Sequence, residues 1–164
     1  MSKHSLCSLL ALMYLSSANS SELNQSLSYP NNFYDLEESK RDCQLDIMFL
    51  VDTSNSMYSY LSIAKEDLSA SIDYFEIAFS SPRYALSYTN GDPTPYELVQ
   101  DFKTSSNQIK DSINSLFNTG GLNGQPEPYA YALKKAQSEF SWRNNAAKLI
   151  VLVGDEVPNE SDKL

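Results

Sequence analysis

Residues 45–56 read LDIMFLVDTSNS, an apolar run that ends in an aspartate followed by two alternating serines. An almost continuous apolar run is typical of a strand in the middle of a parallel sheet, because both faces of such a strand are covered. Asp52, Ser54 and Ser56 then place three oxygen-bearing side chains at the end of this strand. Such a group of oxygens suits a hard cation, a phosphate or simply a well-made turn.

Downstream of this strand, amphipathic and apolar segments alternate along the chain. We predict a helix, two strands joined as a hairpin, two helices and a final buried strand, in the order 56–79, 83–89, 96–102, 105–117, 129–140 and 146–156. The helices have these apolar faces: Leu61, Ala64, Leu68, Ile72 and Phe75; Ile109, Ile113 and Leu116; Leu133, Ala136 and Phe140. We expect Asn55 or Ser56 to cap the first helix. The order predicts a three-layer α/β fold with a mostly parallel central sheet and one antiparallel hairpin.

Oxygen-bearing side chains follow the predicted strands at the edge of the sheet where ligands bind in open α/β folds. The side chains that we expect to converge there are Asp52, Ser54, Ser56, Thr119 and Asp155. Hydroxyl and carboxylate oxygens suit Mg²⁺ or Mn²⁺, and less strictly Ca²⁺. Because the set has few carboxylates, a bound ion would favour a further carboxylate from a partner. Taken one at a time, the serines and Asp155 also suit helix caps, and Thr119 suits an ordinary loop.

The composition excludes several classes of function. A formal net charge of -9 argues against nucleic-acid binding, which depends on Lys and Arg. The only histidine is His4, inside a predicted leader, so the rest of the chain lacks Ser-His-Asp and Cys-His catalytic sets and histidine-bound zinc. The Gly-rich loop 118–128 has no lysine, which a phosphate-binding loop would carry.

The N-terminal 20 residues have the pattern of a secretion signal. Lys3 precedes a short apolar core, and small residues follow it up to Ser20, where we place the cleavage. A short buried helix is the alternative interpretation. Residues 21–42 form a polar arm without periodicity, and residues 43–164 form the domain. We therefore expect a secreted, extracellular protein, and no segment of the chain is apolar over enough residues to span a membrane.

Residues 46–57, DIMFLVDTSNSM, resemble the opening of the von Willebrand factor type A (vWA) domain. The DxSxS motif of that family corresponds to Asp52, Ser54 and Ser56. Thr119 in NTGG and Asp155 in LIVLVGDE resemble the threonine and the later aspartate of its metal-ion-dependent adhesion site (MIDAS). The resemblance spans about 45–158 and implies a Rossmann-like vWA fold in an adhesion or binding module.

The resemblance also implies a role for each site residue. Ser54, Ser56 and Thr119 would contact the metal directly, and Asp52 and Asp155 would act mainly through bound water. The last coordination position would accept a Glu or Asp carboxylate from a protein partner. This is a binding mechanism without a chemical reaction, so the resemblance implies that the protein is not an enzyme.

The sequence departs from the family pattern in two places. Asn123 stands where an acid is common, so an additional acidic ligand is not expected. The family continues beyond Asp155 with a helix, a strand and a final helix, whereas this chain stops at Leu164. We therefore expect an incomplete domain of marginal stability, and a partner for Cys43 in the missing part.

Two other functions are compatible with the motif. The stretch FLVDTSNS faintly resembles the opening of haloacid dehalogenase phosphatases, in which Asp52 would be a nucleophile beside Mg²⁺. Ser54 replaces the second aspartate of that motif, and this removes the usual acid/base. The other alternative is a degenerate, structural vWA domain that binds no metal.

Overall fold

The structure is a computed structural model that describes residues 41–90, 96–120 and 128–155. Its elements are β1 (Arg41–Asp52), a short 3₁₀ helix (Asn55–Ser59), α1 (Leu61–Ala78), β2 (Phe79–Thr89), β3 (Glu97–Lys103), α2 (Ser106–Ser115), α3 (Tyr129–Glu139) and β4 (Ala147–Val153). The predicted order of elements is confirmed, and β1 and β2 begin several residues earlier than predicted. The predicted signal, nearly all of the polar arm, most of the hairpin turn and Asn123 lie outside the described residues.

The four strands form one sheet in the order β3-β2-β1-β4. β1 pairs in parallel with β2 and with β4, and β2 pairs antiparallel with β3. The predicted parallel sheet with one antiparallel hairpin is therefore confirmed. Asp52 lies opposite Thr89 of β2, and Val51 lies opposite Val153 of β4. The carboxyl ends of these three strands therefore lie side by side.

Alternate side chains of β1 enter two separate apolar clusters, one on each face of the sheet. Ile47, Phe49 and Val51 pack with buried residues of α1 and α2. Met48 and Leu50 pack with Ala132 and Ala136 of α3 and their neighbours. The apolar faces predicted for the three helices all contact these clusters. The result is the predicted three-layer arrangement, in which β1 is packed between helices.

β4 is less buried than its sequence suggests. Residues 149–152 are only partly buried, and within β4 only Val153 is buried. Among the described residues β4 pairs with β1 alone, so it lies at an edge of the described sheet. The prediction of a buried final strand was wrong for this part of the chain, because an apolar run cannot reveal whether a second neighbouring strand is present.

A buried ionic network lies toward the beginning of β1, at the end opposite the predicted site. Asp46 is fully buried and accepts hydrogen bonds from Arg83 Nε at 2.9 Å and Nη2 at 2.7 Å. The backbone N–H of Arg143 donates to Asp46 at 2.7 Å, and Arg143 Nε donates at 2.8 Å. Burial would raise the pKa of Asp46, but the hydrogen bonds from Arg83 and Arg143 outweigh it, so the pKa lies below its ordinary value.

Candidate functional site

The structure brings four of the five predicted site residues into one chain of hydrogen bonds. The backbone N–H of Ser54 donates to Asp52 Oδ1 at 2.8 Å. The hydroxyls of Ser54 and Ser56 lie 3.0 Å apart, and Ser56 Oγ donates to Asp155 Oδ1 at 3.0 Å. Asp52 is the last residue of β1, and Asp155 lies two residues beyond the end of the neighbouring parallel strand β4, which explains why residues so far apart in sequence meet here.

Thr119 joins the site through the residue between Asp52 and Ser54. Its hydroxyl lies 2.7 Å from Thr53 Oγ1, and its backbone N–H donates to the Thr53 carbonyl oxygen at 3.0 Å. Asn118 Nδ2 donates to the Ser54 carbonyl oxygen at 2.5 Å. Gly120 follows with a φ of 87°, in the left-handed region that glycine adopts without strain. These bonds fasten the Thr119 loop to the serine loop.

The two serines do not cap a helix. Ser54 precedes the 3₁₀ helix but makes no side-chain hydrogen bond to its backbone. α1 begins at Leu61, and its N-cap position is Tyr60, again without a side-chain bond. The expected caps at Asn55 or Ser56 were therefore wrong, because the 3₁₀ helix intervenes between the motif and α1. The serine hydroxyls bond to each other instead and remain at the edge of the sheet.

Tyr129 contributes to the site, although no sequence motif indicated it. Its hydroxyl donates to Asp52 Oδ2 at 2.6 Å, and its side chain is buried. It is the first residue of α3, which packs across the sheet from α1. A tyrosine at the start of an amphipathic helix is normally part of the core, so only the tertiary structure identifies this contact.

The environment of Asp52 disfavours its negative charge. Burial raises the pKa of this carboxyl most strongly, and the charge of Asp155 raises it further. Hydrogen bonds from Tyr129 and Ser54 act in the opposite direction without cancelling the rise. A cation placed between the two carboxylates would relieve this cost, since an opposite charge favours the ionised form.

We expect Asp52 to make the metal-free protein more stable in mild acid. The folded pKa lies above the ordinary value of 3.8, so the folded state binds the proton first as the pH falls. In EDTA, the free energy of unfolding of the wild type should therefore rise relative to that of Asp52→Asn between pH 7 and the ordinary pKa. Urea unfolding of both proteins across this range measures the difference. A difference that stays constant with pH would contradict the raised pKa.

The set of donors fits a hard cation better than a soft one. Two carboxylates and the hydroxyls of Ser54, Ser56 and Thr119 are all oxygen donors, which Mg²⁺, Mn²⁺ and Ca²⁺ prefer. In the part of the chain that the structure describes, no three His, Cys, Asp or Glu side chains cluster as a metal site. A metal here would therefore depend on the hydroxyls, as in the resemblance drawn from the sequence.

Two exposed aromatic side chains flank the candidate site along the chain. Tyr58 follows Ser56 in the 3₁₀ helix and is 78% exposed, and Phe117 precedes Thr119 and is 70% exposed. The adjacent residues Met57 and Leu116 are buried and anchor both segments. The two segments that carry Ser56 and Thr119 thus also expose aromatic side chains.

The fold and the motif define a class of protein. The family model of the von Willebrand factor type A domain matches residues 46–164, which is most of the chain. The chain therefore belongs to the von Willebrand factor type A family, whose domains generally act in adhesion or protein interaction. Among curated proteins, none matches this sequence.

Several solved structures share the fold. The vWF domain of the type V pili tip protein Mfa5 from Porphyromonas gingivalis matches with a TM-score of 0.59 and 18% identity, over 72% of this chain and 40% of that one. Proximal thread matrix protein 1 from the mussel byssus, solved with a zinc-occupied MIDAS motif, matches with a TM-score of 0.55 and 20% identity, over 68% and 28%. The protein BatB from Bacteroides thetaiotaomicron matches with a TM-score of 0.54 and 17% identity, over 66% and 52%. The chain thus spans about half or less of the length of these structures.

Proposed function

We propose that this protein is an extracellular binding module that holds a divalent cation and recognises a carboxylate on a protein partner. The observation that carries this function is the hydrogen-bonded chain from Asp52 through Ser54 and Ser56 to Asp155. It gathers hydroxyl and carboxylate oxygens at the sheet edge where α/β folds bind ligands. The membership of the vWA family and the zinc-occupied MIDAS of the mussel protein support it.

Each site residue has a role in this function. Ser54, Ser56 and Thr119 would supply hydroxyl oxygens to the cation, and Asp52 and Asp155 would act through bound water. A bound cation would supply positive charge at a site whose own carboxylates otherwise repel an acidic partner. Mg²⁺ is the first candidate, with Mn²⁺ and Ca²⁺ as alternatives, because the donors are all oxygen atoms.

The structure favours binding over phosphatase chemistry. A nucleophilic Asp52 would need an accessible oxygen, but its side chain is fully buried. Both of its oxygens also accept hydrogen bonds, from the Ser54 N–H and from the Tyr129 hydroxyl. These contacts suit a residue that organises a site better than one that attacks a substrate.

The partner proposed here is a protein that offers a Glu or Asp carboxylate beside apolar side chains. Tyr58 and Phe117 are exposed in the two segments that carry Ser56 and Thr119. Burying aromatic side chains of this kind contributes strongly to protein–protein affinity. The predicted signal sequence and the pilus-tip and byssus proteins of similar fold support an extracellular location. Among the described residues, none of the helices is sufficiently long and apolar to cross a membrane.

The function is tested by the thermal unfolding of the wild type and Asp52→Asn in EDTA, Mg²⁺, Mn²⁺ and Ca²⁺. At 100 times the dissociation constant, a bound ion should add about 2.7 kcal/mol to the free energy of unfolding. The variant should lose most of this increase, because the Asp52 carboxylate no longer balances the charge of the cation. Asp111→Asn is the matched control, since Asp111 is exposed on α2, and it should keep the full increase.

The same experiment, together with a phosphatase assay, separates the alternatives. A folded wild type that gains no stability from any of the three ions would favour a structural vWA domain without metal. An equal gain in the wild type and in Asp52→Asn would place the ion elsewhere in the chain. Phosphate release from a small phosphate ester in Mg²⁺, abolished by Asp52→Asn, would instead favour the phosphatase.

A further inference from the structure

Two hydrogen bonds hold the Asp52 carboxylate, and a closely packed glycine lies beside them. The Ser54 N–H donates to Oδ1 at 2.8 Å, and the Tyr129 hydroxyl donates to Oδ2 at 2.6 Å. Gly154, the residue that follows β4, lies against the Asp52–Tyr129 pair. The end of β1, the first residue of α3 and the end of β4 therefore converge on one side chain. Core packing alone does not require the hydroxyl group of Tyr129, since a phenylalanine would fill nearly the same volume.

Gly154 is required by the close packing around the Tyr129 hydroxyl. A Cβ atom at this position would lie 2.2 Å from the hydroxyl oxygen of Tyr129 and 2.9 Å from its Cζ. It would also lie 3.3 Å from Cβ of Asp52. Real Cβ atoms do not approach other atoms as closely as 2.2 Å, so any side chain here must displace the hydroxyl. The absence of a side chain at Gly154 thus preserves the hydrogen bond to Asp52.

We propose that Tyr129 is a positioning residue that fixes the Asp52 carboxylate for cation binding, and that Gly154 provides the space it needs. Groups that hydrogen-bond to the residues around a metal fix their orientation, and losing one typically lowers metal affinity. With the hydroxyl present, Asp52 keeps one orientation and both oxygens keep a donor. Without it, Oδ2 would be buried without its donor, and the carboxylate would turn toward water or another donor.

Because this role rests on the proposed function, the experiment measures cation binding directly. The EPR signal of free Mn²⁺ is followed during titration of the full chain, at a temperature where circular dichroism shows each variant folded. Tyr129→Phe removes one oxygen atom and should weaken Mn²⁺ binding by about 10- to 100-fold. Tyr131→Phe is the matched control on the same helix, because Tyr131 is exposed, and it should bind as the wild type does.

A second variant tests the same contact without removing any polar group. Gly154→Ala should weaken Mn²⁺ binding by at least about 10-fold, because the new methyl group displaces the Tyr129 hydroxyl. In the Tyr129→Phe background the same alanine should cause a smaller loss, because the hydroxyl that it would displace is already absent. Such non-additivity is expected of two residues that act through one contact. A purely structural role of Tyr129 would leave Mn²⁺ binding unchanged in folded variants.

The outcomes separate this role from the proposed function. If the wild type binds Mn²⁺ and Tyr129→Phe binds it equally or more tightly, the positioning role is overturned while the cation site stands. Fully additive losses of Mn²⁺ affinity from Tyr129→Phe and Gly154→Ala would also overturn the positioning role. If the folded wild type binds no Mn²⁺, the proposed function fails, and the role of Tyr129 fails with it. A loss in Tyr129→Phe and Gly154→Ala, absent in Tyr131→Phe, supports the positioning role.

Discussion

Replacing Asp46 by Asn should lower the free energy of unfolding by about 3 kcal/mol, because removing one partner of a buried ion pair leaves the other charge uncompensated. Asp46 is completely buried, whereas the side chains of Arg83 and Arg143 are 19% and 21% exposed. The amide of Asn would present N–H groups to the two guanidinium groups, which are themselves donors. Partial exposure lets water hydrate the arginines, so we expect the lower end of the range for buried pairs. Urea unfolding at pH 7 measures the loss.

Asp73→Asn is the matched control for this prediction. Asp73 also pairs with a cation, Lys110, but its side chain is 65% exposed, and the change should stay within about 0.5 kcal/mol. The folded pKa of Asp46 is lowered, so its stabilisation is present above the ordinary pKa and is lost as the pH falls through the folded value. The gap between the wild type and Asp46→Asn should therefore narrow in acid. Equal losses for the two substitutions at pH 7 would contradict the importance of the network.

Phe49→Ala should lower the free energy of unfolding by about 3 to 5 kcal/mol. Phe49 is completely buried in the central strand β1, and its ring stacks on that of Tyr84 with centroids 6.4 Å apart. The lost stability has two parts: the favourable burial of the ring that is given up, and the cost of the cavity that remains because helices cover this face of the sheet. Against a typical total of about 5 to 15 kcal/mol, this change removes a large share of the stability.

Phe117→Ala makes the same chemical change on the surface. Phe117 is mostly exposed beside the candidate site, so the substitution should alter the free energy of unfolding by less than about 0.5 kcal/mol. The measurement is urea unfolding of both variants. The slope of the free energy of unfolding against urea concentration is compared with that of the wild type. A small loss in Phe49→Ala would mean that the face of the sheet below α1 and α2 is loosely packed.

The sequence predicted the fold well because its strongest signals are local. The apolar run in β1 and the helical spacing of Leu61, Leu68 and Ile72 each specify an element without reference to the rest of the chain. The antiparallel pairing of β2 with β3 followed from turn residues, although most of that turn lies outside the described residues. The local prediction failed at the start of α1, where a 3₁₀ helix separates the DxSxS motif from the first residue of the helix.

The partial exposure of β4 does not follow from the composition of β4 itself. Its sequence, AKLIVLV, has the composition of a strand with neighbours on both sides, yet in the described part of the chain it pairs with β1 alone. Burial depends on what lies beside a strand, and composition does not encode that. The expected marginal stability of this chain remains a prediction, and the urea experiments on the wild type will measure it.

The sequence by itself determined the α/β order of elements and the residue types at the carboxyl ends of the strands, because periodicity and motif spacing are properties of the chain alone. Only the tertiary structure decided which atoms meet at the candidate site. It joined Ser56 to Asp155, attached Thr119 through Thr53, and placed the Tyr129 hydroxyl on Asp52. It also enclosed Asp46 between two arginines. These contacts join residues distant in sequence, and their geometry depends on how helices and strands pack, which no local pattern records.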